Sequence, residues 1–484
     1  MNNPLFVTFN YESWPLATHL ELLQKSVVAG ENPTWLDLTG IIRKHFEFPF
    51  SNRLHIKLVS RKLKRLSLYS LKLESSAGTF KESNQDINIQ SRANSVAHQE
   101  LISLTRNSKP CLIHNKRLYN KLKDLYLRNY SHAYIKLNSL KPSVVILFNG
   151  RFVEERAFWN AADDLGFPVI FYETFAQNWD DRYFVFKEPT HSPEYRGLVM
   201  EEFGQALLSS DPAKFKKVAI DFFESRVSAT TNKFIKHQEN KTEYHADLPI
   251  VSFFHSSQDE LVMVNLIDQF WTSQEMALAQ IVNLLDRLGG HRLVIRIHPH
   301  LLHKAKQEYS RWELLGKSLA AKYDWIRFIP AEDSANTYDL VRASKIVVTC
   351  ASTVGVEASY LRKPSILLGR AFHETMGITC LANSLEELES LLLSDYPEEF
   401  LDKARIQAMK YGVFLELGGE KFEYISTVRN PRLKYEIENV TISKSSLVRI
   451  IQYFEIRLKK VLQSLKYSVV CNHDCGVDSS KGWK

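Results

Sequence analysis

Residues 345–369 confine the fold more than any other stretch of the chain. A short apolar run, KIVVT (345–349), passes through the small residues CAST into VGVEASYL, and then into a second apolar run, SILLG (365–369). Two apolar runs on either side of a helix-length segment define a β–α–β unit, whose strands must lie parallel. The same alternation precedes it. Strands are predicted at 250–254, at LVIRIHP (293–299) and at WIRFIP (325–330), with helices SQEMALAQIVNLLDRLG and TYDLVRAS between strands. Continuous apolar strands separated by helices build a parallel sheet covered on both faces.

The first half of the chain follows the same rule. LFVTFNY (5–11), TWLDL (34–38), SVVILF (143–148) and PVIFYE (168–173) read as strands. Helices are predicted from Ser13, with Pro15 in the first turn, at 96–105, at 115–138 and through FVEERAFWNAADDLG. The polar stretch 75–95 reads as a loop, and the polar segment HQENKTEYHADLP around residue 240 as a linker. The expected class is therefore α/β: two Rossmann-like, doubly wound domains with a cleft between them, plus C-terminal helices. The first domain spans 1–240 and the second 241–415. Residues 416–470 are expected to be helical and 471–484 disordered.

Composition limits what such a chain does. Of the 484 residues, 44% are apolar and 24% charged, as in an ordinary soluble globular protein. No apolar run reaches the ~18 residues of a membrane span, and the N-terminus lacks the basic and apolar regions of a signal peptide. A cytoplasmic location is expected. The net charge of +7 gathers between Arg43 and Lys72 and between Lys444 and Lys466. In the second cluster Leu447, Ile450, Ile451, Phe454, Leu458, Val461 and Leu462 recur at helical spacing beside a basic face. Such a helix suits either an anionic membrane surface or packing across the first domain. A peripheral position at the inner face of the cytoplasmic membrane follows from the first alternative, and nucleic acid is not an expected partner. The five cysteines are dispersed. Cys471, His473 and Cys475 have no second ligand pair nearby, so no metal and no cofactor are expected.

In open α/β sheets ligands bind beyond the carboxyl ends of the strands. Four groups fall there. Ser256, Ser257 and Glu260 follow the strand at 250–254. His298 and Pro299 follow LVIRI. Ser352 and Thr353 open the helix after KIVVT, and Glu357 lies one turn on, on the same face as Thr353. Asn149 and Arg151 follow SVVILF, and Glu173 closes the next strand. Backbone N–H groups, two hydroxyls and a helix dipole converging at Ser352 suit a phosphate, and Glu357 would accept from a ribose. Candidate general bases in the first domain are Glu12, His19, Glu21, Glu155 and Glu173, with Glu173 first, because it ends a strand, and His19 second. The Asp163-Asp164 pair sits inside a predicted helix and Asp180-Asp181 follows no clear strand, which favours chemistry without a metal.

RIHPH, STVGVEA, KPSILLG with Arg370, SSQDE and FNGRFVEERA together resemble bacterial glycosyltransferases of capsule and lipopolysaccharide assembly, of the GT-B architecture. Relatives of that group include capsular Kdo and sialic acid transferases and, more remotely, UDP-GlcNAc 2-epimerases. The resemblance covers most of residues 148–377. It implies a nucleotide-sugar donor and a surface glycan, free or lipid-linked, as acceptor. It implies that His298 meets the donor's phosphate or leaving group, that Ser352 and Thr353 hold the phosphate, that Glu357 binds the ribose, and that Ser256 and Ser257 line the phosphate end. An epimerase and a non-catalytic assembly subunit are the alternatives.

Overall fold

The structure is a computed structural model that describes residues 2–9, 13–39, 50–73, 87–173, 182–188, 192–227, 247–257, 261–262, 266, 270–303, 306–429 and 434–443. The chain divides into two compact units: Met1–Gly78 with Trp179–Asp181 and Phe422–Lys484, and Thr79–Asn178 with Arg182–Lys421. The expected boundary near residue 240, Glu12, Glu260, Asp180-Asp181 and everything from Lys444 onward lie outside the described residues.

The first unit begins with β1 (Leu5–Thr8), α1 (Ser13–Val28), β2 (Thr34–Asp37), α2 (Phe50–Leu63) and β3 (Lys72–Leu73). β2 lies between β1 and β3, and all three run parallel. Every residue of β1 is buried, as a continuous apolar run in a parallel sheet requires. Leu16, Leu20 and Leu23 turn the apolar stripe of α1 inward.

The second unit opens with α3 (Ile87–Thr105) and α4 (Leu112–Leu140), followed by β4 (Val145–Phe148), α5 (Val153–Asp164), β5 (Val169–Glu173), β6 (Arg182–Phe186), α6 (Pro193–Ser210) and α7 (Pro212–Val227). Part of the expected loop at 75–95 is helix, because Ala93, Val96, Ala97, Leu101 and Ile102 form a buried stripe under an otherwise polar surface. β4 and β5 are parallel across the α5 crossover, and β6 returns antiparallel to β5.

A six-stranded sheet follows. Its elements are β7 (Ile250–Phe254), α8 (Gln274–Leu288), β8 (Arg292–Arg296), α9 (Lys306–Lys322), β9 (Ile326–Ile329), α10 (Thr337–Ala343), β10 (Ser344–Thr349), α11 (Val354–Tyr360), β11 (Ser365–Leu367), β12 (Cys380–Leu381), α12 (Leu385–Leu393) and α13 (Glu398–Leu417). The order is β12-β11-β10-β7-β8-β9, and every pairing is parallel. This is the Rossmann order, with the first strand of the series beside the fourth. Alternate strand residues point to opposite faces. Val251, Phe253, Ile295 and Val348 pack under α8, α9 and α12, while Ile250, Phe254, Val294 and Val347 pack under α10 and α11. The sheet is thus doubly wound, and the expected α/β class with parallel sheets is what the structure shows. β13 (Glu420–Lys421) pairs antiparallel with β6.

The first unit resumes with β14 (Ser426–Arg429), β15 (Lys434–Ile437) and β16 (Val440–Ser443), an antiparallel sheet. Helix was expected across 416–470, but here the period is two. Tyr435, Ile437, Val440 and Ile442 are buried. Glu438 and Asn439 both hold positive φ, the geometry of a two-residue hairpin turn whose twist matches the strands.

Candidate functional site

Register fixes a common edge. Phe254 is level with Arg296 on one side and Thr349 on the other, and Thr349 is level with Leu367. The segments leaving β7, β8, β10 and β11 therefore emerge along one rim. The direction of winding reverses between β7 and β10, which opens a crevice at that rim. Ser256, His298 and the Ser352 turn all lie on it, as the sequence implied. A shallow cleft lined by Trp271, Ser273, Gln274, Cys350, Gly369 and Arg370 adjoins the Ser256 and Ser352 segments.

Each rim segment is held in place. The side chain of Gln274, the first residue of α8, accepts from the Ser256 N–H at 2.8 Å and donates to its carbonyl at 3.0 Å. The Ser256 hydroxyl is buried and has no hydrogen-bond partner among the described residues. Ser257, beside it, is half-buried. His298 is half-buried, and its Nδ1 accepts the His300 N–H at 3.0 Å. An accepting Nδ1 leaves the proton of the neutral ring on Nε2, so the imidazole presents a donor. Beyond β10, Ala351 sits at φ +82°, in the left-handed region that costs a side-chain-bearing residue free energy. That kink turns Ser352 back, so that its Oγ accepts the Val354 N–H at 3.3 Å and its carbonyl accepts from Gly355. Thr353 is exposed. α11 has only seven residues, so the dipole expected there is that of a short helix, and the local N–H groups and hydroxyls dominate.

Glu357 faces inward. It is buried, with Oε1 3.2 Å from Arg226 and Oε2 accepting the Tyr338 hydroxyl at 3.2 Å. Burial raises its pKa, against the pull of Arg226 and Tyr338. Each carboxylate oxygen has a second acceptor site, but both already hold the α7–α10–α11 junction together.

The rim beyond β4 and β5 gathers the other expected group. Asn149 donates to Glu173 at 3.0 Å and accepts the Arg151 N–H at 2.9 Å. Asn149 and Gly150 both have positive φ, and a Cβ on Gly150 would fall 2.5 Å from the Phe171 ring, so only glycine closes this turn. Three further carboxyl groups, Glu100, Glu154 and Glu155, lie close together near this rim, and Arg151 acts on Glu100 and Glu155. Glu100 is pushed up to about 7 by burial and by Glu154, with Arg151 opposing. Glu154 is raised by burial, and Glu155 is raised well above the usual range by burial and by Glu154.

Two expected base candidates are corrected. His19 is completely enclosed in the first unit. Its ring packs edge-on to Phe6 and against Trp35, and its Nε2 lies 3.0 Å from the Thr8 hydroxyl. Burial lowers its pKa to about 3 despite Asp37. It is a neutral core histidine with no surface for an acceptor. Glu21 is spent on the backbone N–H groups of Glu423, Tyr424 and Ile425. Asp164 is equally committed, to Arg92 and the Tyr130 hydroxyl.

The sequence reading missed Arg196, His373 and Glu100. Arg196 is half-buried over the Phe372 ring at 4.3 Å, and its pKa is lowered to about 10 by desolvation while Tyr411 and Glu173 oppose. It joins the β5 rim to the segment after β11. His373, in that segment, is buried against Tyr411, and burial lowers its pKa to about 4. The rule that found His298, a polar residue just past an apolar strand, also marks His373. Nothing local marks Glu100, which lies mid-helix far upstream.

The fold and rim define an α/β protein with a Rossmann-ordered sheet and polar residues along its carboxyl edge. Residues 271–411 match the family model described as "Capsule polysaccharide biosynthesis protein". The capsule-assembly resemblance carried by the RIHPH and STVGVEA motifs is borne out by that match. No curated protein matches the chain. Among solved structures, the beta Kdo 2,4 transferase of Thermosulfurimonas dismutans KpsC is 13% identical, with 56% of this chain and 79% of that chain covered and a TM-score of 0.36. The beta Kdo 2,7 transferase of the same protein is 12% identical, with 67% and 89% covered and a TM-score of 0.31. UDP-GlcNAc 2-epimerase from Neisseria meningitidis bound to UDP-GlcNAc is 15% identical, with 85% and 96% covered and a TM-score of 0.29.

Proposed function

We propose that the protein is a glycosyltransferase that moves a sugar from a nucleotide-activated donor to a surface-glycan acceptor. The observation that carries this reading is the shared rim: Ser256, His298 and the Ser352 turn beyond three adjacent parallel strands, at the point where the winding reverses. The family match over residues 271–411 supports it.

In this reading the donor phosphate lies at the crevice, against the Ser352 and Thr353 hydroxyls and N–H groups and the Ser256 hydroxyl. As the bond from the anomeric carbon to the phosphate oxygen breaks, its electron pair moves to that oxygen. The Nε2–H of His298 donates to the charge that develops there. The acceptor hydroxyl bonds to the anomeric carbon and gives its proton to a carboxylate, for which Glu173 is assigned. Asn149 orients Glu173, and Arg151 marks the acceptor side. Asp164 is engaged elsewhere, and a metal-independent reaction is part of the proposal.

The test is a panel of CMP-, UDP-, GDP- and dTDP-sugars. One donor should raise the melting temperature and, with acceptor glycan present, release free nucleotide at a rate that EDTA leaves unchanged. Binding without acceptor-dependent release would make the protein an isomerase. The absence of any binding would make it an assembly subunit.

A further inference from the structure

The hairpin of α3 and α4 ends in a tip that neither the rim nor its chemistry uses. Leu104 in the last turn of α3 is 53% exposed, and Leu112 and Ile113, which open α4, are 46% and 83% exposed. Cations surround them. Arg106, Lys109, Lys116 and Arg117 are all exposed, and no Asp or Glu occurs between Glu100 and Asp124. Leu112 and Lys116, like Ile113 and Arg117, are one helical turn apart and share a face. Among the described residues Lys116 and Arg117 form no ion pair.

The tip is also rigid. Glu308 accepts from the Ser108 N–H at 3.2 Å and from its hydroxyl at 2.9 Å, while Arg311 donates to that hydroxyl at 2.9 Å and pairs with Glu308 at 2.7 Å. Asn107 accepts the Lys109 N–H at 3.0 Å. The acidic groups facing the tip are neutralised: Glu308 by Arg311, and Glu275 by Lys109 at 3.2 Å and Arg311 at 3.0 Å. A braced turn thus holds large apolar side chains in water inside a ring of positive charge.

We propose that this tip is a membrane-docking surface, with Leu104, Leu112 and Ile113 entering the headgroup–acyl boundary of an anionic bilayer while Arg106, Lys116 and Arg117 meet the lipid phosphates. A soluble polyanion would satisfy the cations and leave Ile113 in water. A bilayer with anionic headgroups satisfies both sets at once. The surface goes beyond the transfer reading and stands or falls separately from it.

The test is flotation of the full-length protein with phosphatidylcholine vesicles, with and without phosphatidylglycerol. The protein should float with the anionic vesicles only, and less as salt rises. Ile113→Asp, and separately the pair Lys116→Glu with Arg117→Glu, should each weaken flotation at least ~10-fold. Leu393→Asp, at an exposed leucine on α12, should leave it unchanged. All these positions are exposed, and melting curves should match the unmodified protein. In a second measurement, an environment-sensitive fluorophore on Ile113→Cys should shift to the blue on adding anionic vesicles. Tip variants that float like the unmodified protein, or an unmodified protein that does not float, would overturn the proposal. So would charge-pair-dependent binding to a soluble polyanion that Ile113→Asp does not touch. Self-association abolished by Ile113→Asp, without flotation, would assign the tip to a second copy instead.

Discussion

The rim beyond β7, β8 and β10 and the rim beyond β4 and β5 sit in one compact unit and manage charge in opposite ways. At the first, hydroxyls, main-chain N–H groups and one imidazole are fixed by local bonds: Gln274 on Ser256, the His300 N–H on His298, the Ser352 hydroxyl on its own turn. That rim is suited to receive negative charge. At the second, Glu173 is aligned by Asn149, and Glu100, Glu154 and Glu155 repel one another with Arg151 offsetting only part of the charge, so that burial and this repulsion push Glu100 up to about 7. That rim is suited to take up a proton. The contrast gives the proposed transfer its division of labour: in that reading the first rim meets the leaving phosphate and the second meets the incoming hydroxyl.

The contrast is broken most directly at His298. His298→Ala is expected to lower transfer ~10³-fold, within the usual range for a lost general acid, while the melting temperature stays put because the side chain is only half-buried. Near-normal turnover would remove it from the mechanism. On the opposite rim, Glu173→Gln keeps the hydrogen bond from Asn149 available but cannot take a proton. Transfer should fall ~10²-fold with donor affinity unchanged. A fall in donor affinity with normal turnover would move Glu173 to the donor side.

Glu357 sharpens the comparison, because it lies behind the first rim and not on it. Glu357→Ala strands the Arg226 guanidinium, and removing one member of a buried pair costs ~3 kcal/mol. Glu357→Gln keeps the packing and the bond from Tyr338. Donor affinity measured on folded Glu357→Gln should drop ~10-fold if the carboxylate reaches a ribose through its second lone pairs. An unchanged affinity would leave Glu357 as a brace for α11 alone.

What the sequence disclosed follows from the range over which each signal acts. The strands of the doubly wound sheet are continuous apolar runs, so 250–254, 293–296 and 345–349 were legible locally, and so was the polar residue following each. β13 pairs through only Glu420 and Lys421, too few residues for any periodicity. The β15–β16 hairpin did carry a period of two, but its turn residues, Glu438 and Asn439, lack the glycine that usually announces such a turn. Glu357 read as a ligand because spacing places it one turn from Thr353. The partners it holds in the structure, Arg226 and Tyr338, are tertiary neighbours on other helices that spacing does not announce. His19 was misplaced because helical position reveals which face a residue takes, but not whether another strand covers that face.

His19 gives the smallest expected effect on transfer and the clearest pH signature. Its folded pKa of about 3 lies below the ordinary 6.5, so the fold binds the neutral ring. The stability this provides is complete above pH 6.5 and is lost as pH falls toward 3, because the unfolded chain takes up a proton that the core refuses. Between pH 7.5 and pH 5 the loss amounts to about 2 kcal/mol from this one group. His19→Gln can still bond to the Thr8 hydroxyl and does not titrate. It should lower stability at neutral pH through poorer packing against Phe6 and Trp35, and flatten the stability curve between pH 6.5 and 5. Turnover per folded molecule should stay as in the unmodified protein. A folded His19→Gln protein that no longer transfers would return the residue to the list of bases; a curve as steep as before would mean that another group governs acid stability in this range.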